Sequence, residues 1–129
     1  MSETDSGSVV VVDDDAPMGH MMANYLKRLG YPSRRTLQPE RGLEMILETP
    51  DLPFVVCDVQ MPRMSGPELI ERAAAERPGL RVLFVSGYEL EELRERTIPG
   101  VIHTTLGKPF SLNMFREAVE ALLEHPAAV

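Results

Sequence analysis

Aspartates stand directly behind two short apolar runs of this chain. Val9–Val12 is followed by Asp13–Asp15, and Phe54–Cys57 is followed by Asp58. Carboxylates that converge in one crevice repel each other unless a cation joins them. Oxygen ligands without histidine or cysteine favour a hard divalent ion, and Mg²⁺ needs few carboxylates because it keeps several of its waters. The pattern therefore predicts a magnesium site.

Two later apolar runs end in groups that suit phosphoryl chemistry. Val82–Val85 leads into Ser86, and Val101–Leu106 leads into Lys108. A carboxylate can attack phosphorus to give an acyl phosphate. An ammonium group, a hydroxyl and a cation can then stabilise the negative charge of the new phosphoryl oxygens. Together with the aspartates, these residue types indicate a phosphoryl-accepting site.

Each of these signals is weak by itself. Acidic runs are most often solvated surface, and a single aspartate after a strand is frequently a turn former or a helix cap. A serine–glycine pair is a common way to begin a loop. The prediction depends on four such signals falling at the ends of four predicted strands in one short chain.

The elements that would position these groups alternate along the chain. Apolar β-branched runs, with a weaker one at Pro32–Leu37, are separated by segments whose apolar residues recur at steps of three and four. The least certain of these helical segments is Tyr88–Arg96. Residues that suit the first turn, the end or the cap of a helix support the boundaries: Pro17, Pro67, Gly30 and Ser111. The order βαβαβαβαβα predicts an α/β fold with a parallel sheet, helices on both faces, and functional groups at the carboxyl ends of the strands.

Size and composition limit the class of protein. The chain has 129 residues, of which 43% are apolar, which fits one domain; its core is predicted at about 9–124, with loose termini at 1–8 and 125–129. The formal charge of −7 argues against nucleic acid or an anionic membrane as the main partner. No apolar run approaches the roughly 20 residues that span a bilayer. The polar start and the single Cys57 favour the reducing cytoplasm.

Four segments resemble the receiver (CheY-like) domain of bacterial response regulators in two-component systems. They are VVVVDDD at Val9–Asp15, FVVCDVQMPRMSGPEL at Phe54–Leu69, VLFVSGY at Val82–Tyr88 and LGKPFS at Leu106–Ser111. Their order and spacing match that family from about Val9 to Leu123. The resemblance implies a (βα)5 flavodoxin-like, doubly wound sheet with the strand order 2-1-3-4-5. The second and third segments are more similar to receivers attached to hybrid sensor histidine kinases than to those joined to DNA-binding modules.

The resemblance also implies roles for individual residues. Asp58 would take a phosphoryl group from a histidine kinase, with Ser86 and Lys108 as the hydroxyl and the lysine that contact it. The peptide bond between Lys108 and Pro109 would be cis.

The resemblance implies a set of magnesium ligands as well. Asp14 would bind Mg²⁺ directly and Asp13 through water, and Asp58 and the backbone carbonyl of Gln60 would complete the protein ligands. No other cofactor is expected.

One position departs from the family pattern. Receivers usually carry an aromatic residue three positions before the lysine, and this position is Thr105 here. The aromatic residue normally couples the site hydroxyl to the surface formed by helix four, strand five and helix five, where a downstream protein would bind. Tyr88 is one candidate to replace it, and a simple covering role for Tyr88 is equally compatible with the sequence.

Three hypotheses on function remain at this point. The first is a phosphoacceptor switch whose partner is a sensor histidine kinase or a phosphotransfer protein, with only self-phosphorylation and self-dephosphorylation as chemistry. The second is a protein-binding scaffold that works unphosphorylated, which Thr105 favours. The third is a phosphohydrolase, for which Asp13 and Asp15 supply a D-x-D pattern. The third hypothesis leaves Asp58 unexplained. Such enzymes usually also have a cap domain that holds the substrate, and none is expected in this chain.

Overall fold

A computed structural model describes residues 6–87 and 90–126 of the chain. Within these ranges five strands alternate with five helices. The elements are β1 (Val9–Val12), α1 (Ala16–Arg28), β2 (Ser33–Thr36), α2 (Pro39–Glu48), β3 (Val55–Asp58), α3 (Gly66–Glu76), β4 (Leu80–Ser86), α4 (Glu91–Glu95), β5 (Val101–Gly107) and α5 (Leu112–Glu124).

The strands form one sheet in the order β2-β1-β3-β4-β5, and each neighbouring pair is parallel. The predicted α/β class and the strand order implied by the resemblance are therefore confirmed. The chain leaves β1 toward β2 on one side and returns to β3 on the other. This reversal opens a crevice between the carboxyl ends of β1 and β3, which is where sheets of this kind bind ligands.

The sheet separates two apolar cores because its central strands are buried on both faces. In β1, Val10 and Val12 pack with α2, α3 and α4, whereas Val9 and Val11 pack with α1 and α5. All four valines have no exposed surface. The uninterrupted apolar runs of the sequence therefore reflect strands with a helix layer on each side.

Polar caps begin three of the helices at the carboxyl edge of the sheet. The side chain of Asp15 accepts a hydrogen bond from the Met18 N–H at 3.2 Å. Ser65 begins α3 in the same way, and Ser111 caps α5 by accepting from the Met114 N–H at 3.1 Å, as the sequence predicts. Each cap satisfies a backbone donor that has no partner inside the helix.

The fourth helix is shorter than the sequence pattern indicates. The sequence predicts a helix at Tyr88–Arg96, whereas α4 covers Glu91–Glu95, with Arg96 at its C-cap. Tyr88, the candidate to replace the aromatic residue, lies outside the described residues. Leu93 is the buried residue within α4, and a helix with so little apolar surface depends on its neighbours for stability.

Candidate functional site

Three carboxylates meet at the carboxyl edge of β1 and β3. One oxygen from each of Asp13, Asp14 and Asp58 lies within 4.8 Å of the other two. The register of β1 and β3 pairs Val12 with Cys57. The residues that follow this pair, Asp13 and Asp58, therefore face the same crevice. Asp13 is 1% exposed and Asp58 is 5% exposed, whereas Asp14 reaches solvent. The structure thus brings together three of the predicted metal ligands, one of them open to solvent.

Asp15 does not belong to this group. Its carboxylate caps α1, and its backbone N–H donates to Oδ1 of Asp13 at 2.8 Å. The D-x-D interpretation of Asp13 and Asp15 therefore has no support in the geometry, because the second aspartate is occupied in starting a helix.

Lys108 lies between two of the carboxylates. Its Nζ is 3.2 Å from Oδ2 of Asp13 and 3.6 Å from Oδ1 of Asp58. The side chain is only 17% exposed, so water screens these contacts less than it would at the surface. The peptide bond from Lys108 to Pro109 is cis, as the resemblance implies.

Ser86 lies at the same edge of the sheet. β4 ends at this residue, one position beyond the Val85 that pairs with Asp58. Ser86 is 2% exposed, and its carbonyl accepts a hydrogen bond from the Lys108 backbone N–H at 2.7 Å. This bond joins the ends of β4 and β5, the two strands that carry the candidate hydroxyl and the candidate lysine.

Gln60 lies in the exposed loop after β3, two residues beyond Asp58. The loop is held by two backbone hydrogen bonds, from Val59 N–H to the Val85 carbonyl at 3.1 Å and from Gly66 N–H to the Val59 carbonyl at 2.9 Å. These bonds fix the start of the loop at the crevice. That the Gln60 carbonyl binds a metal stays a prediction.

Gly66 is a site residue that reasoning from the sequence missed. A Cβ atom at this position would lie 2.2 Å from the carbonyl oxygen of Asp58 and 3.2 Å from Sγ of Cys57. The first turn of α3 therefore packs directly against the backbone of the candidate phosphoacceptor. The glycine in the segment MSGPEL was the available signal, but sequence alone does not say which backbone it approaches.

The site is electrostatically unfavourable for carboxylates alone. Burial, followed by the nearby charge of Asp13, raises the pKa of Asp58 to about 7 although Lys108 opposes this shift. A hydrogen bond with Asp14 acts in the same direction as burial. Burial also raises the pKa of Asp13, against the Asp15 N–H and Lys108, which lower it. A cation would relieve this repulsion, and a donor set made only of oxygens fits a hard divalent ion such as Mg²⁺.

In the presence of a chelator, we expect Asp58 to make the protein less stable as the pH rises. The folded-state pKa of about 7 lies above the ordinary value of 3.8, so the folded protein binds more protons than the unfolded chain between these values. The stability contribution is complete below pH 3.8 and is lost as the pH passes 7. Urea unfolding in EDTA at pH 5 and pH 8 measures it. An Asp58→Asn variant whose stability falls equally between these two pH values would contradict the assignment.

Comparison with known proteins agrees with this geometry. The family model described as "Response regulator receiver domain" matches residues 9–120. The chain is 31% identical over 121 residues to the sensor kinase CckA of Brucella abortus, an alignment that covers 92% of this chain and 13% of that protein. It is 29% identical over 120 residues to sporulation initiation phosphotransferase F of Bacillus subtilis, covering 89% of this chain and 92% of the relative.

The fold has close counterparts among solved structures. A CheY-like receiver domain protein from Methanospirillum hungatei superposes with a TM-score of 0.79 at 26% identity, covering 92% of this chain and 94% of the other. Among residues 6–87 and 90–126, no helix has the length and apolar character needed to cross a membrane. Receiver domains are the phosphoaccepting signalling domains of two-component phosphorelays. On its sequence, strand order and acidic crevice, the chain belongs to the response regulator receiver domain family.

Proposed function

We propose that Asp58 is the side chain that accepts the phosphoryl group, in a reaction that requires Mg²⁺. The observation that carries this proposal is the position of the Lys108 ammonium, between the carboxylates of Asp13 and Asp58 in a buried acidic crevice. Positive charge is thus already in place where the oxygens of a phosphoryl group on Asp58 would need it.

The contacts distinguish Asp58 from its neighbour Asp13. One oxygen of Asp13 accepts the Asp15 N–H and the other accepts the Lys108 ammonium, so both are engaged. A carboxylate whose two oxygens both accept hydrogen bonds is better suited to hold neighbouring groups in place than to attack phosphorus. Asp58 ends the central strand β3 and meets Lys108 at the longer distance of 3.6 Å, which leaves it the better candidate for the nucleophile.

In the proposed reaction an oxygen of Asp58 attacks the phosphorus of a phosphohistidine. The new O–P bond forms as the P–N bond breaks, and the donor imidazole leaves with the electron pair of that bond. Lys108 stays paired with the transferred group, and the Ser86 hydroxyl at the end of β4 is the proposed hydrogen-bond donor to it. These fixed donors stabilise the charge of the product without having to be gathered during the reaction.

The proposed magnesium ligands are the three carboxylates of the crevice and the carbonyl of Gln60. Asp13, Asp14 and Asp58 are close enough to serve one ion, directly or through water. Mg²⁺ bound there would supply positive charge to the phosphoryl oxygens and remove the repulsion between the carboxylates.

We propose a sensor histidine kinase or a phosphotransfer protein as the phosphoryl donor. The matches to CckA and to sporulation initiation phosphotransferase F support this, since their names describe a sensor kinase and a phosphotransferase. Because the chain spans only 13% of the CckA relative, membership of a hybrid kinase is one form of this proposal. The α4–β5–α5 face is the proposed binding site for a downstream protein. We also propose that the whole chain is a single domain and that it is located in the cytoplasm. The charge of −7 supports protein rather than nucleic acid as the partner.

The test is transfer of one phosphoryl group to the purified chain. With Mg²⁺ and acetyl phosphate, intact-mass spectrometry should detect a single phosphoryl adduct per molecule, and EDTA should prevent it. No adduct under these conditions would favour the scaffold hypothesis. Repeated turnover of ordinary phosphate esters would instead favour the phosphohydrolase hypothesis.

A further inference from the structure

We propose that the cleft between α1 and β2 is a second anion-binding site, separate from the crevice at Asp58. Its ligand is a phosphate monoester that carries an aromatic ring, such as a nucleoside monophosphate. The α1–β2 cleft has a volume of about 680 Å³. This volume lies in the usual range of small-molecule sites and is far larger than an inorganic anion needs. The inference does not depend on the proposed function of Asp58.

The side chains of the cleft that can carry charge at neutral pH are all basic. They are His20 and Lys27 from α1 and Arg35 from β2; within the described part of the chain, no aspartate or glutamate lines the cleft. His20 and Lys27 are seven residues apart, about two helical turns, so they lie on the same face of α1. The chain as a whole has a formal charge of −7. A local concentration of positive charge attracts anions although the net charge repels them.

Arg35 has donors to spare for such an anion. Its Nη1 donates to Nδ1 of His20 at 2.8 Å, since a guanidinium group can only donate. Among residues 6–87 and 90–126, Arg35 has no carboxylate partner, whereas its neighbour Arg34 is paired with Glu48. The guanidinium of Arg35 can therefore make the planar contact with two oxygens that arginine typically makes with phosphate.

Neutral donors and an apolar wall complete the α1–β2 cleft. Ser33 lies two residues before Arg35 on β2, so both side chains point to the same face of the sheet, and Asn24 lies across from them on α1. Tyr31 lines the cleft as well, and its ring packs edge-on against Phe54, with centroids 5.3 Å apart. A few polar groups beside a fixed apolar wall are the usual composition of a small-molecule site. A ligand with both a phosphate and an aromatic ring matches both parts.

A neighbouring cavity decides on which side of Arg35 the phosphate would bind. This cavity of about 560 Å³ shares His20 and Arg35 with the cleft, but it is also lined by Asp13. The Asp13 carboxylate would repel a phosphate group there. The α1–β2 cleft, which has no such carboxylate, is therefore the favoured side.

The test is a titration of the isotope-labelled chain with adenosine monophosphate, followed by NMR in low salt and without Mg²⁺. We expect saturable shifts of the backbone amides of Tyr31, Ser33 and Arg35. Both Arg35→Gln and Lys27→Gln should weaken the affinity about five- to tenfold, the range expected for losing a charge-assisted hydrogen bond at an exposed position. Both positions are exposed, so the variants should fold as the wild type does.

Arg28→Gln is the matched control. It makes the same change of charge next to Lys27, also in the last turn of α1, but Arg28 does not line the cleft. We expect this variant to bind adenosine monophosphate as the wild type does. Equal weakening by Arg28→Gln would overturn the site, because the attraction would then be a property of the whole surface.

Fragments of the ligand test its two parts separately. Adenosine lacks the phosphate and inorganic phosphate lacks the ring, so each should bind more weakly than adenosine monophosphate. Inorganic phosphate that bound equally tightly would overturn the assignment of an aromatic ligand. The site itself would be overturned by the absence of saturable shifts, by shifts confined to the crevice around Asp58 and Lys108, or by unchanged affinity in both Arg35→Gln and Lys27→Gln.

Discussion

The Asp58→Asn variant should acquire no phosphoryl group under conditions in which the wild type acquires one. An amide has nearly the shape of the carboxylate but no anionic oxygen to attack phosphorus. The substitution also removes one of three mutually repelling carboxylates, so the folded state should be retained at neutral pH. The expected effect is complete loss of the adduct in intact-mass spectrometry after incubation with Mg²⁺ and acetyl phosphate.

Asp15→Asn is the matched control for this experiment. It makes the same chemical change two residues from Asp13, in a carboxylate that caps α1. Asparagine caps helices about as well as aspartate, so α1 should be preserved. We expect this variant to form the adduct as the wild type does. A normal adduct on Asp58→Asn would show that another residue is the acceptor.

The Gly66→Ala variant should be strongly destabilised and should also impair phosphoryl transfer. The new methyl group would lie 2.2 Å from the carbonyl oxygen and 3.1 Å from the carbonyl carbon of Asp58. These are backbone atoms of a central strand, so they cannot rotate away as a side chain would. Forced overpacking of this kind costs about 3 kcal/mol, and either α3 or the end of β3 must shift. Urea unfolding measures the first effect, and the rate of adduct formation measures the second.

Gly19→Ala provides the comparison for Gly66→Ala. A Cβ atom at Gly19, which also lies in a helix, has no atom within 4 Å. This substitution should stabilise the protein by about 0.5–1 kcal/mol because alanine loses less conformational freedom in a helix. If the two variants had equal stability, the close approach of α3 to Asp58 would not be a constraint on the fold.

Local patterns in the sequence were sufficient to predict the fold class. The run Val9–Val12 predicts a strand buried on both faces, because every residue in it is apolar and β-branched. The structure confirms this, since all four valines are buried. The cap at Ser111 and the prolines near the helix starts act within one turn of chain. The helix boundaries that they set can therefore be predicted from neighbouring residues. The strand order, in contrast, came from resemblance to a family, since periodicity does not say which strands pair.

The candidate site was predictable in its residue types but not in its electrostatics. Asp13, Asp58 and Lys108 stand out because parallel strands carry their end residues to one edge. The pKa of about 7 for Asp58 depends on how deeply the group is buried and on how near Asp13 and Lys108 lie, and these are properties of packing. Asp15 lies in the same acidic run as Asp13, but its carboxylate caps α1 through a local hydrogen bond to the Met18 N–H, three residues away.

The sequence by itself determined the alternation of strands and helices and the residues with which the strands end, because both depend on interactions within a few residues. Only the tertiary structure decided the length of α4, the bond from Arg94 to Thr105 and the contact of Gly66 with Asp58. Each of these depends on atoms that lie apart in the chain and meet only when the helices pack on the sheet.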